Sequence, residues 1–275
     1  MDISLALGGG GIRGVAHLGV LRSLEKEGFR VRAVAGTSAG GVAAAVYAAG
    51  WKPEEMIERF GTVDQSSLYS FGGGKAVLGN QGVREMLGMF LEDETFTDLQ
   101  IPCALSTVDM ESMEVLALQE GKVLDAVLAT IAIPSVFPPQ ETEEACLVDG
   151  GVLDVVPVET ARSLAPELPV VAVSLSPPRE RWKDLKTMDQ VITAPVLRSL
   201  ARTNVGRAFE ISIRSVEIMN HWLALSRLEV EKPEVVITPD ITRIGMLETV
   251  DVEAAAALGD QAVQEALPAL RALRE

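Results

Sequence analysis

Two glycine-rich turns, about one helix apart at the start of the chain, constrain the fold more than any other feature. The first, Gly8-Gly9-Gly10-Gly11-Ile12-Arg13-Gly14, ends a short apolar run from Ile3 to Leu7. The second, Gly36-Thr37-Ser38-Ala39-Gly40, ends another apolar run from Val31 to Ala35. A helical pattern follows each turn. Leu18, Leu21 and Leu24 recur at helical spacing over Val15 to Glu27, and Gly28 is a natural stop. Gly41 to Ala49 is a short helix of small residues. The order strand, loop, helix, strand, turn, helix opens a parallel α/β sheet.

The remaining pattern extends that reading. Lys52 to Phe60 and Val83 to Leu91 are predicted as helices around an irregular stretch from Gly61 to Gly82. Stretches of this length often serve as lids or binding segments. Ile101 to Asp109 and Met113 to Gln119 are consecutive strands of a hairpin, and Val123 to Ala132 is helical. Cys146 to Val148 is a strand ending at Asp149, and the apolar run Val170 to Leu175 is a buried strand. Leu185 to Leu228 is mostly helical with a break near Asn204 to Gly206, Val235 to Thr238 is a short strand, and Val252 to Leu273 is a closing helix. The expected fold is α/β, a central, mostly parallel sheet flanked by helices, as a single domain over residues 1–275.

The chain is 48% hydrophobic but only 4% aromatic, so the core must be built from Ala, Val, Leu, Ile and Met. Its formal net charge of −15 argues against nucleic acid and against electrostatic attraction to anionic lipid. Docking on lipid through an apolar patch stays open. Cys103 and Cys146 are the only cysteines, each in an apolar run, and read as reduced thiols. With only two histidines besides, a metal hydrolase is not expected. No segment has the length of a signal peptide's or a membrane span's apolar run, and a cytoplasmic location is expected.

The chemistry-bearing residues lie in three places. Gly9-x-Gly11-x-x-Gly14 matches the dinucleotide fingerprint, but the acidic residue expected after the second strand is replaced by Gly36-Thr37-Ser38. The alternative use of the loop is to aim the amides of Gly9, Gly10 and Gly11 at a developing oxyanion, each donor being worth about 3–4 kcal/mol in the transition state. Gly36-x-Ser38-x-Gly40 matches a nucleophile elbow, with strand, turn and helix in the right order. Asp149-Gly150-Gly151 ends a strand, where Asp-Gly is also a common hairpin turn. His17 and His221 are the rival bases; His17 reads as packing against the glycine loop and His221 sits in an apolar helical stretch. Arg13 either holds the loop or adds positive potential near an oxyanion.

Taken together, the segments from Gly8 to Leu21, Gly36 to Gly40 and Val148 to Gly151 resemble the signatures of the patatin-like phospholipases, in particular their short bacterial members. Weaker echoes run through 95–102, 129–139 and 235–240. The resemblance implies a three-layer α/β/α fold and a Ser-Asp dyad of Ser38 and Asp149. It also implies an oxyanion hole from Gly9, Gly10, Gly11 and Arg13, and hydrolysis of lipid or other ester substrates with no metal and no cofactor. Thr130 stands where such proteins usually carry serine, and Ser112 where glycine is common; neither is expected to touch the chemistry. The acyl channel is expected from Gly61 to Gly82 and from Phe209 to Leu228. Two other readings remain at this stage, a nucleotide- or phosphate-binding domain and a low-activity regulatory protein on a hydrolase scaffold. Substrate chain length, oligomeric state and pathway are not legible.

Overall fold

In the computed structural model, the alternation within the first strand already separates two layers. Strand β1 (Asp2–Leu7) points Ile3, Leu5 and Leu7 into the larger apolar core and Ser4 and Ala6 to the opposite face. The structure describes residues 1–274 except 69, 72–75, 77 and 186–203. The part of the expected 185–228 helical stretch that falls on 186–203 lies outside the described residues.

The helices are α1 (Ala16–Lys26), α2 (Ala39–Ala48), α3 (Pro53–Thr62), α4 (Gln81–Leu91), α5 (Val123–Thr130), α6 (Val158–Leu164), α7 (Asn204–Glu231) and α8 (Val252–Ala272). The remaining strands are β2 (Arg30–Thr37), β3 (Ser70–Phe71), β4 (Leu78–Gly79), β5 (Cys103–Asp109), β6 (Glu114–Leu118), β7 (Gln140–Glu141), β8 (Cys146–Asp149), β9 (Val170–Val173) and β10 (Val235–Ile237). The main sheet runs β10-β9-β1-β2-β5-β8-β7, with β6 also paired to β5. From β10 to β5 all pairs are parallel; β6, β7 and β8 join antiparallel. Central strands are covered on both faces, which is why β9 reads as an unbroken apolar run.

The large core includes α1, α2 and α8 against Leu5, Leu7 and Val34. The other face is lined by small residues, Ala6, Ala35 and Ala172, which bring α6 close to the sheet. Ser4 Oγ donates to Ala161 O of α6 at 2.7 Å. α6 was not anticipated, because seven residues after Pro157 give too short a periodicity. On α7, Phe209 and Ile213 are buried in the core, while Ile218 and Trp222 lie at the surface. Both cysteines are free thiols, and no helix among the described residues is long and apolar enough to cross a membrane.

Two positional details fix the site. β6 pairs with Leu105 through Asp109 along one edge of β5. The other edge is shared: β2 occupies it at Cys103–Ser106 and β8 at Thr107–Asp109. β8 therefore runs head-on toward the end of β2, and its last residue, Asp149, stops beside the turn that follows Thr37.

The packing of α1 on α8 depends on two glycines without which the helix backbones could not meet. A Cβ on Gly19 would lie 1.8 Å from Ala256 O, and one on Gly259 would lie 2.0 Å from Ala16 O. Neither obstacle is a flexible side chain, so the helices must separate. Gly19→Ala is expected to destabilise the fold by about 2–3 kcal/mol, read as a lower urea midpoint with an unchanged denaturant slope.

Candidate active site

Ser38 stands between β2 and α2 at φ 54° and ψ −125°, a backbone conformation that side-chain-bearing residues rarely adopt. The glycines on either side make the turn possible. A Cβ on Gly36 would lie 2.4 Å from Gly40 O, and one on Gly40 would lie 2.1 Å from Leu7 O. The Ser38 amide donates to Thr130 Oγ1 at 2.9 Å, and Thr130 Oγ1 donates to Ser106 O at 2.5 Å. Thr130 thus ties the serine backbone to β5, a link that its remote position in sequence does not reveal. α2 begins at the next residue, so its positive end lies against the serine.

The carboxyl of Asp149 is buried, 4% exposed. Its Oδ1 accepts from the Gly151 amide at 2.7 Å. Oδ2 is buried without a full hydrogen bond, while the Ser38 hydroxyl acts on the carboxyl from close range. Burial pushes the Asp149 pKa up to about 6, against the opposing pull of Ser38 and the Gly151 amide. A carboxylate with an ordinary value near 3.9 is a poor base. This one is better matched to accepting a proton near neutral pH.

A small cavity of about 30 Å³ brings the expected residues together: Ser38, Asp149, Gly9, Gly10 and Gly11 all line it. The glycines differ in their use. The Gly9 amide donates to Val155 O at 2.9 Å, so it is occupied, and a Cβ there would come within 3.2 Å of Ser38 Cβ. Gly9 is glycine because the serine sits against it. The amides of Gly10 and Gly11 have no acceptor among the described residues, and these two are the free donors of the loop.

The Arg13 side chain follows the loop-holding alternative rather than the oxyanion role that the resemblance implies. Its guanidinium is 2% exposed, donates from Nε to Ile244 O at 2.7 Å and pairs with Glu217 Oε1 at 2.6 Å. Glu217 also pairs with Arg214 at 2.6 Å. Burial works against the Glu217 charge, but Arg13 and Arg214 outweigh it and hold the carboxyl below its usual range. Arg13 is absent from the lining of the small cavity; its side chain anchors the loop to α7. Asn220, one turn along α7, lines the cavity, and its amide nitrogen, oriented so that both ends are satisfied, donates to Gly151 O at 2.9 Å.

Neither histidine takes part. His17 is fully buried, donates from Nε2 to Gly8 O at 2.7 Å and is held neutral by burial, its pKa lowered to about 4. His221 pairs through Nδ1 with Ser176 Oγ at 3.0 Å, and burial likewise lowers it to about 4. A phosphate held by the glycine loop would face the buried Asp149 carboxyl across the same cavity, which disfavours the nucleotide reading.

Ser38 also lines a second, apolar cavity of about 160 Å³. Val63, Gln65 and Leu68 of the irregular 61–82 segment contribute to it, as expected. The Phe209 to Leu228 region does not; only its Val216 and Asn220 reach the site, and they line the small cavity.

The fold and site define an α/β protein with a strained serine elbow, a facing buried carboxyl and a glycine loop. The family model of patatin-like phospholipases matches residues 5–162, and the chain belongs to that family. An uncharacterised NTE family protein of Mycobacterium bovis is 32% identical over 181 residues, 63% of this chain and 49% of that protein. A second one from the same species is 28% identical over 278 residues, 98% of this chain and 47% of that protein. Lysophospholipase NTE1 of Mycosarcoma maydis is 33% identical over 170 residues, 58% of this chain and 9% of that protein. The chain thus spans about half the length of the mycobacterial relatives. VipD from Legionella pneumophila matches in structure with a TM-score of 0.61, over 97% of this chain and 66% of that one. At 13% identity that likeness is one of fold.

The buried carboxyl has a stability consequence. Asp149 ionises near 6 in the folded chain and near 4 when unfolded, so the folded state binds its proton more tightly. Its contribution is fully present below about pH 4 and is lost as pH rises through about 6, a cost of about 2–3 kcal/mol. Asp149→Asn is therefore expected to be more stable than the parent at pH 8 and nearly equal at pH 4. Urea denaturation at both pH values measures it, and equal stability at pH 8 would contradict the burial argument.

Proposed function

We propose that the chain is a serine-dependent hydrolase of carboxylic esters of lipids, with Ser38 as nucleophile and Asp149 as base. The observation that carries this reading is the position of Ser38 at the junction of two cavities, a small one lined by Asp149 and the loop glycines and a larger apolar one that can take carbon chain. Family membership supports lipid hydrolysis in general.

In the first step, Asp149 takes the Ser38 proton as Oγ attacks the acyl carbonyl. The negative oxygen is held by the amides of Gly10 and Gly11, assisted by the positive end of α2. Arg13 holds the loop that carries those amides. As the tetrahedral intermediate collapses, the proton passes from Asp149 to the leaving alcohol. Water then enters, gives its proton to Asp149 and attacks the acyl-enzyme; collapse returns that proton to Ser38 and frees the acid. The small cavity, at about 30 Å³, is large enough for a water molecule. Transient contact with a lipid surface would deliver a membrane substrate; a cytoplasmic location and one domain over 1–275 belong to the same reading.

A fluorophosphonate is expected to label the parent and not Ser38→Ala. Asp149→Asn is expected to lose at least about 10³-fold in kcat while remaining folded. An Asp149→Asn variant with undiminished turnover would remove the dyad. With a carboxylate base, kcat/KM should rise with pH through about 6 as Asp149 loses its proton, and a pH-rate profile on a soluble ester measures that limb.

A further inference from the structure

Resting on the ester-hydrolase reading, we propose that the apolar cavity beside Ser38 selects short acyl chains of about six carbons, a size suggested by a comparable dry cavity that holds benzene. Three observations carry this. The first is volume: the cavity is about 160 Å³, and an apolar cavity of about 150 Å³ takes up one benzene, six carbons.

The second is depth. Leu18 of α1, Gly14 and Val15 of the turn before it, and α2 from Ala39 to Ala43 line the cavity. The α2 span, four steps of 1.5 Å, is about 6 Å long. One turn further on, Leu21 and Val46 are completely buried in the main core and do not reach the cavity. On the side of α1 and α2 the cavity is therefore bounded by packed side chains.

The third is the side wall. Among the described residues that line the cavity, Ser38 and Gln65 carry the only polar side chains. Gln65 is pinned at both ends of its amide to Val250, donating to Val250 O at 2.8 Å and accepting from Val250 N at 2.9 Å. Both ends of that amide are engaged, so beyond Ser38 and the Gly11 amide the described lining is apolar and suits the acyl side of the ester. The same two bonds hold the 63–68 segment against the loop before α8. A sixteen-carbon chain must break that pairing, push α1 from α2, or leave most of its length in water.

The test is a series of p-nitrophenyl esters from acetate to palmitate, assayed at monomeric concentrations. The parent enzyme is expected to show its highest kcat/KM near hexanoate and at least tenfold less on palmitate. Leu18→Ala deepens the cavity and is expected to move the optimum to octanoate or beyond; Ala43→Val narrows it and should move the optimum toward butyrate. A small fluorophosphonate that does not fill the cavity reports, in every variant, whether the serine remains folded and reactive. Should Leu18→Ala lose labelling, Ala43→Val and the parent profile decide the matter. A flat parent profile, or an optimum at palmitate with labelling intact, overturns the chain-length inference and leaves ester hydrolysis standing. Loss of labelling and turnover on every ester in the parent overturns the hydrolase reading itself.

Discussion

One edge of one strand organises this molecule. β5 gives the first half of that edge to β2 and the second half to β8, which runs the opposite way. Two chain segments more than a hundred residues apart are thereby made to end against each other. One ends in the turn that carries Ser38, the other in Asp149. The hydrogen-bonded register of β5 leaves little freedom in how far apart they stand. Thr130 adds a cross-tie from the next element, bonding the serine's amide to the carbonyl of Ser106 on the same strand.

That meeting point is assembled at a cost. A carboxyl is buried with one oxygen short of a full hydrogen bond, and a serine is held in a left-handed backbone conformation. Both are states that an isolated peptide would leave. They persist because the surroundings over-determine them: a side chain at Gly36 or Gly40 would block the turn, Gly9 lies against the serine, and α7 braces the glycine loop and the Asp149 turn. The long helix reaches the glycine loop through Glu217 and Arg13, and the Asp149 turn through Asn220 and Gly151. Strain of this kind is common where chemistry is done, since a relaxed carboxylate would be too weak a base and a relaxed serine too well shielded.

Much of this was legible beforehand, for a definite reason. The elbow announces itself locally, since strand, glycine, serine, glycine and helix are contiguous and each has its own periodicity. Asp149 was visible because a strand ending in Asp-Gly-Gly is a local pattern too. Less legible were residues whose role is a contact with something distant. Thr130 looked remote from the chemistry, yet its hydroxyl accepts from the serine's own amide. For Arg13 the residues left loop-holding and an oxyanion role both open and the resemblance implied the second, while its side chain turns to Glu217, some two hundred residues away. Gly9 was grouped with its neighbours, although its amide is engaged by Val155. Gln65 and Asn220 carried no signal, being single polar residues in unremarkable contexts.

The amino-acid sequence alone determined the alternation of strands and helices, the strand–turn–helix at Ser38, the glycines that turn requires and the short list of groups able to move a proton. These follow from local periodicity and from steric limits on the backbone, which act over a few residues. Tertiary structure alone decided which carboxyl meets the serine, which loop amides are left free, that both histidines are packed away neutral, and how deep the apolar cavity runs. Those outcomes depend on burial and on register between segments far apart in the chain. Desolvation and packing volume are properties of the assembled whole, and no stretch of sequence carries them by itself.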